Sequence, residues 1–498
     1  MEFKGKNISV IGLARSGVGA ANLLSRLGAN VTVTDILTHD QLIGMVSELD
    51  SSVKTSLNGY KAELLNSSDM IVISPGVPIS DIEAIVDSKI EIIGELELAY
   101  RVLSQLQSPP LILAITGTNG KTTATTLLNE IIIRDRKKIL TAGNIGNAIT
   151  TELLKFKIGQ DGFIGTFIDL DMILLEVSSF QLETISRFRP NGSAILNIAP
   201  DHLDRYRDLM DYAEAKYKIF LNQNNEDFLV LNADCPLTNE IRHKFGNGGP
   251  QVYYFSSKKE VIGSYCKDGV IYFNLPFLGV FANGHELKGA LFNDSGFTIN
   301  VEDIGLKGGH NIENIMAVSL MALLSGCSFE SVRDTVKEFN GLHHRIEFVG
   351  QIDGVRYYDD SKATNVDAVV RALESFTEPI ILIAGGRDKD SDFRQLSKPL
   401  EKKAKALVLI GEASDKINSA LNRPSITYME ETMKGAVQRA KNIAKAGDVV
   451  LLSPACASFD MFKDYADRGR CFSAEVARLG NTYNPSHDKG RLGGVGNG

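Results

Sequence analysis

The stretch Gly117-Thr118-Asn119-Gly120-Lys121-Thr122-Thr123 holds the residue types that a phosphate chain needs. Glycines let successive backbone N–H groups curl around phosphate oxygens, a lysine bridges the outer phosphates, and a neighbouring hydroxyl serves Mg²⁺. The apolar run Leu111–Ile115 precedes the loop, and a helical pattern follows it through Ile133, so a helix N-terminus adds its dipole. Ile115 stands where the first glycine of the usual pattern belongs, which makes this a variant loop. A glycine-rich turn with an exposed lysine is the bland alternative, and it leaves the flanking strand and helix unexplained.

Such a loop needs a second anionic ligand for Mg²⁺ at the end of a neighbouring strand. The segment Asp171-Met172-Ile173-Leu174-Leu175-Glu176 supplies one, with Glu176 at the end of an apolar run. The polar continuation Val177-Ser178-Ser179-Phe180-Gln181-Leu182-Glu183 has no evident packing purpose. A second strand, expected over Ala194–Ile198, ends in Ala199-Pro200-Asp201-His202-Leu203-Asp204. A lone histidine is more often structural than a ligand, but His202 lies between two aspartates and is the best metal or substrate candidate of the eight histidines.

The elements that must position these groups read as strand–turn–helix units. One is Asn7–Ile11, then Gly12-Leu13-Ala14-Arg15-Ser16-Gly17 and a helix through Leu27, followed by a strand Asn30–Thr34 ending at Asp35. Another is Pro379–Ala384 followed by Gly385-Gly386-Arg387-Asp388. Units of this kind imply parallel sheets with ligands at the carboxyl ends of the strands. A length of 498 residues suggests about three domains. Ser108-Pro109-Pro110 reads as a linker, a second boundary falls near Asn340-Gly341, and the tail from Asn484 is glycine-rich and polar.

Composition narrows the class. A net charge of -8 disfavours nucleic-acid binding, so anions must be held locally. Five scattered cysteines without a CxxC pair fit a reducing compartment and argue against a disulfide framework or zinc site. The N-terminus lacks the features of a signal peptide, and no apolar run is long enough to span a bilayer, so a cytoplasmic protein without a membrane span is expected.

Together the segments resemble the Mur ligase family of ATP-dependent amide-forming enzymes, and within it the branch that adds D-glutamate. The resemblance covers nearly the whole chain and rests on Gly117–Thr123, Leu175–Glu183, Asp360-Ser361-Lys362-Ala363-Thr364-Asn365, and Ser453-Pro454-Ala455-Cys456-Ala457-Ser458-Phe459-Asp460 with Arg468-Gly469. It implies an α/β chain of three domains: a Rossmann-like UDP-substrate domain over 1–107, a central P-loop ATP domain over 108–341, and a Rossmann-like domain for the incoming amino acid over 342–498.

The resemblance also implies roles. Gly117, Thr118, Asn119, Gly120, Lys121, Thr122 and Thr123 would hold the ATP phosphates, with His310, Asn311 and Asn314 at the adenosine. Arg345, in Leu342-His343-His344-Arg345, would reach the phosphates from the third domain, and Asp360 would help hold the nucleotide. UDP-N-acetylmuramoyl-L-alanine would meet Ser16, Asp35, Ser74, Gly76, Asn144, Ser178 and Gln181. D-Glutamate would sit among Thr364, Lys389, Ser458 and Tyr465. Thr122, Glu176, His202 and Lys216 would bind two Mg²⁺ ions, Lys216 as a carbamate made with CO₂. From residues alone, Tyr212–Lys218 is a helical stretch with two lysines that reads as a solvated face; the resemblance favours Lys216. Lys121, Glu176, His202, Lys216 and Arg345 would carry catalysis, in a monomer.

Three departures from the family pattern stand out: Ile36 and Leu37 after Asp35 where some relatives have a basic residue, Tyr465 where phenylalanine is common, and an apparent insertion over Lys157–Leu170. The implied chemistry is transfer of the ATP γ-phosphoryl group to the alanyl carboxylate, followed by attack of the amino acid amine on the acyl phosphate. All partners are anions, so the catalytic problem is electrostatic and positional. Three rivals remain: an NAD-dependent oxidoreductase built on Gly12–Gly17 with Asp35, a P-loop NTPase switch, and a sister or folate-polyglutamate ligase adding another amino acid. Ala14 at the middle glycine position weakens the first.

Overall fold

The computed structural model describes residues 2–144, 147–156, 169–203, 205–239, 241, 248–275, 297–306, 308–339, 341, 343–388, 391–421 and 426–481. Lys389, Asp204, most of the 157–170 segment and the tail from Asn484 lie outside them. The chain forms two compact units, one of Met1–Ala199 with Tyr206–Phe339, the other of Pro200–Arg205 with Asn340–Gly498.

The first unit carries two sheets. The first is parallel, with β1 Asn7–Ile11, β2 Asn30–Thr34, β3 Lys54–Ser56, β4 Met70–Ile73 and β5 Glu91–Gly94 in the order β3-β2-β1-β4-β5. The order reverses between β1 and β4, which opens a crevice at their carboxyl ends. The second sheet holds β6 Leu111–Thr116, β7 Ile139–Gly143, β8 Met172–Glu176, β9 Gly192–Ile195, β10 Phe228–Asn232, β11 Gln251–Ser256, β12 Gly263–Lys267, β13 Val270–Asn274 and β14 Thr298–Asn300. Their order is β14-β13-β12-β11-β10-β9-β6-β8-β7, parallel from β7 to β12 and antiparallel beyond. β4, β8, β9 and β10 are buried at every position, as strands covered on both faces must be.

Close approach of small residues joins the two sheets. A Cβ at Gly19, on the helix Arg15–Arg26, would run into the hydroxyl of Thr151 on the helix Ile149–Leu153. Nearby, Glu97 accepts the backbone N–H groups of Ser186, Arg187 and Phe188 at 2.9–3.0 Å and the Arg101 guanidinium at 2.9 Å, and Arg101 also binds Glu91 and Glu2. The buried charge of Arg101 is therefore matched on several sides, which a buried cation requires.

The second unit holds β15 Glu347–Ile352, β16 Val355–Asp359, β17 Ile380–Gly385, β18 Ala404–Ile410, β19 Thr427–Met429 and β20 Val449–Leu452, in the order β15-β16-β20-β17-β18-β19. All neighbours are parallel except β15 and β16, which form a hairpin over Asp353-Gly354, with φ of 52° and 77°. Two left-handed residues of this type suit a tight hairpin turn. Insertion of β20 between β16 and β17 brings the loops after all three strands to one edge. Among the described residues no helix is long and apolar enough to cross a membrane, and all five cysteines are free thiols.

Candidate functional site

The phosphate loop runs from the end of β6 into the helix Lys121–Arg134. Gly120, at φ 88°, caps that helix in a left-handed conformation, and a Cβ there would run into the Asn314 side-chain oxygen. The loop is braced from the neighbouring strand: Thr118 N donates to Asn197 O at 3.0 Å, Asn119 N to Asn197 Oδ1 at 2.8 Å, and Asn197 Nδ2 to Asn119 O at 3.0 Å. Thr118 Oγ1 donates to Ala199 O and accepts from Ala199 N. This use of residues 196–199 is why β9 ends at Ile195 rather than at Ile198 as expected: the chain after Ile195 serves the loop instead of the ladder.

Two ammonium groups converge on one oxygen of this loop. Lys121 Nζ donates to Gly117 O at 2.8 Å and to Thr118 O at 2.9 Å; Lys216 Nζ donates to the same Gly117 O at 3.0 Å. Lys216 is 1% exposed and lies 4.4 Å from the centre of the Tyr212 ring. The solvated-face reading of its helix is thus overturned, because Tyr212, Ala213, Ala215, Lys216 and Tyr217 are all buried. Lys218 turns elsewhere, to Glu183 O at 2.7 Å. Two cations this close form a strong anion-attracting focus.

Glu176 closes β8 beside the loop strand, paired in register with Ile115. Its Oε1 accepts from Asn144 Nδ2 at 2.8 Å, while its Oε2 is buried with no hydrogen-bond partner among the described residues. A buried unpaired carboxylate oxygen is costly unless something cationic meets it, so the site fits a metal ion. The following segment has a packing role that the sequence reading missed. Ser178 and Gln181 form a capping box for the helix Ser179–Glu183, with Gln181 N donating to Ser178 Oγ at 3.3 Å and Ser178 N to Gln181 Oε1 at 3.0 Å.

The residues expected at the UDP substrate meet in a single cleft of about 680 Å³. Ser16, Asp35, Ser74 and Gly76 line it from the first sheet, and Asn144, Ser178 and Gln181 from the second. Pro75 and Val77, in the turn Ser74-Pro75-Gly76-Val77 expected at the UDP diphosphate, line it too, as do Arg15 and Phe180, to which no role was given. A Cβ at Gly17 would run into the Gly12 carbonyl oxygen, so glycine lets the helix start against the β1 turn. Asp35 accepts Leu13 N at 2.7 Å and Leu37 N at 2.9 Å, which locks both loops at the cleft mouth. Of the two departures there, Leu37 joins the cleft wall with Leu42 and Met45, whereas Ile36 is 61% exposed.

In the second unit Asp360, Ser361 and Thr364 follow β16, and Ser453 through Ser458 follow β20. Asp360 is buried, accepts Ser453 Oγ at 2.7 Å, and is pushed up to about 7 by burial, against the pull of Ser453 and Arg345. Arg468 ties the loops together. It is 1% exposed and donates to Ser361 Oγ at 2.9 Å, Ser361 O at 2.8 Å and Cys456 O at 3.1 Å; burial lowers it to about 10. Ser361 Oγ reaches Tyr465 O at 2.7 Å, and Ala455, at φ 61°, donates its N–H to Ala363 O at 3.0 Å. Ser458 is buried, and Tyr465 is 37% exposed with its ring 5.3 Å from Lys362 Nζ. His202, at φ 55°, lies in the short segment grouped with this unit.

Three family models match successive parts of the chain. The model of the Mur ligase MurD-like N-terminal domain matches residues 6–94, that of the Mur ligase middle domain 115–322, and that of the Mur ligase glutamate ligase domain 344–456. The chain belongs to the Mur ligase family, whose members are ATP-dependent ligases. A UDP-N-acetylmuramoylalanine–D-glutamate ligase of Thermoanaerobacter sp. is 42% identical over 96% of this chain and 100% of its own, and one of Clostridioides difficile is 38% identical over the same shares. The fold is also similar to that of the UDP-N-acetylmuramate-alanine ligase MurC of Thermotoga maritima, at a TM-score of 0.54 and 19% identity over 96% of this chain and all of that one.

Proposed function

We propose that this chain adds D-glutamate to UDP-N-acetylmuramoyl-L-alanine at the expense of ATP, through an acyl phosphate, as a cytoplasmic monomer in peptidoglycan precursor synthesis. The observation that carries the reading is full-length identity of 38–42% to ligases of that name. We take 1–107, 108–341 and 342–498 as the UDP-substrate, ATP and amino-acid domains.

Each group then has a physical task. The cleft residues Ser16, Asp35, Ser74, Gly76, Asn144, Ser178 and Gln181 hold the UDP substrate, the helix N-terminus at Arg15 favouring its diphosphate. Backbone N–H groups of Gly117–Thr123 hold the ATP phosphates, with Asn311 and Asn314 at the adenosine side. Lys121 and Arg345 neutralise charge as the phosphoryl group moves to the alanyl carboxylate. Thr122, Glu176, His202 and Lys216 as a carbamate would hold two Mg²⁺ ions, which when bound would polarise phosphoryl oxygens. Two lysines sharing the Gly117 oxygen support the carbamate reading, since converting one ammonium to an anion removes their repulsion. Thr364, Lys389, Ser458 and Tyr465 place the D-glutamate amine, and Asp360 steadies the nucleotide side.

The test separates binding from chemistry. In Lys121→Ala, ATP-dependent phosphate release should vanish while the dissociation constant for UDP-N-acetylmuramoyl-L-alanine, by calorimetry, stays within about threefold, a change under 1 kcal/mol. A variant that loses substrate binding as fully as turnover contradicts this division of labour.

A further inference from the structure

Arg345 sits between two residues held at positive φ, His344 at 63° and Ile346 at 46°. The left-handed conformation costs an L-residue roughly 1–2 kcal/mol, and for a β-branched side chain it is a true outlier. Such strain persists only where the surroundings over-determine it.

Those surroundings converge on His344. Its backbone N–H donates to Glu347 Oε2 at 2.7 Å, and its carbonyl accepts Lys362 N at 3.1 Å. Its ring Nδ1 lies 2.6 Å from Asp359 Oδ2, whose side chain is 0% exposed. The other oxygen, Asp359 Oδ1, accepts Ser361 N at 2.9 Å, which fixes the carboxylate to the loop after β16. On the opposite side Gly469 leaves the room: a Cβ there would run into both His344 Nδ1 and Asp359 Oδ2.

His344, Glu347 and Asp359 place ligand atoms within 4.8 Å of one another, as a metal trio would. Their atoms are already engaged, however: Nδ1 with Asp359, Glu347 Oε1 with His343 at 2.8 Å, and Glu347 Oε2 with the His344 N–H. A metal would have to break this set rather than complete it.

We propose that His344 and Asp359 form a positioning pair, admitted by Gly469, that holds the strained 344–346 turn and thereby fixes the backbone from which Arg345 acts. The proposal rests on the reading of Arg345 as a phosphate-facing cation. His344 itself touches no substrate in this account, so its effect must pass through Arg345.

A double-mutant cycle on the full-length protein tests this, read as ATP-dependent phosphate release. His344→Ala should lower kcat by an amount on the order of ten- to a hundredfold, the scale of a misplaced catalytic group. In the Arg345→Ala background the same change should do almost nothing, because groups acting through one another are not additive. His344→Asn should retain most turnover, since its amide can donate to Asp359 and asparagine tolerates positive φ. It also keeps the test informative if His344→Ala folds poorly. Multiplicative losses in the double variant, or an inactive His344→Asn with an unchanged thermal midpoint, overturn the positioning role. Wild-type turnover in Arg345→Ala instead overturns the Arg345 assignment, and the proposal with it; full loss in Arg345→Ala beside an active His344→Ala overturns the pair alone.

Discussion

Replacing Asp360 by asparagine should change how stability depends on pH, with a sign that the structure dictates. The carboxyl is 4% exposed at the end of β16, accepts Ser453 Oγ at 2.7 Å, and is raised to about 7, chiefly by burial. In the unfolded chain an aspartate titrates near pH ~4. Between those values the folded protein keeps a proton that the unfolded chain has released, so stability falls as pH rises and levels off above the folded value. Integrated from about pH 5 to about pH 7.5, the loss is roughly 2.5 kcal/mol. Asparagine is neutral throughout and can still accept the Ser453 bond. The stability of the wild-type chain relative to Asp360→Asn should therefore drop by about that amount over this range, read by chemical unfolding of both proteins, because shared titrating groups cancel. A pH-independent difference refutes the argument. A wild-type advantage that grows with pH does so more strongly, since it means that Arg345 outweighs burial and holds the carboxylate ionised.

Two further outcomes follow from close contacts. Lys216→Ala should lose most turnover, on the order of a hundredfold or more, with partial rescue by small carboxylates, while Lys218→Ala, whose Nζ donates to the Glu183 carbonyl away from the phosphate loop, should lose little; rescue by amines instead contradicts a carbamate. Gly17→Ala should cost about 1–3 kcal/mol of stability and weaken UDP-substrate binding, because the added Cβ meets backbone rather than a movable side chain. Gly44→Ala, with open space around it, is the control and should bind as the wild type does; equal binding losses in the two variants would falsify the clash argument.

The groups legible in the sequence are those whose chemistry is local. The phosphate loop, its strand and its helix are contiguous, so spacing alone reveals them. Glu176 was legible because an apolar run of strand length ends on it. The supports were not, because their partners are remote in sequence: Asn197 meets Asn119 across 78 residues, Lys216 meets Gly117 across 99, and Arg468 meets Ser361 across 107. Burial of Lys216 was hidden for another reason. Its helix is buried on most sides, so no apolar stripe marks an inner face. Ser178-Ser179-Phe180-Gln181 did carry a readable signal, a capping box, which local helix chemistry explains before function is invoked. The loop strain at Ile346 leaves no sequence signature, since a β-branched residue does not favour positive φ as glycine or asparagine does.

The central claim is the identity of the amino acid joined. Phosphate release from ATP, measured with UDP-N-acetylmuramoyl-L-alanine and a panel of D-glutamate, L-glutamate, L-lysine and diaminopimelate, tests it most directly. Release should require both the UDP substrate and D-glutamate, with the other amino acids near background. Equal release with L-glutamate, L-lysine or diaminopimelate, or release that proceeds with no amino acid at all, would contradict it.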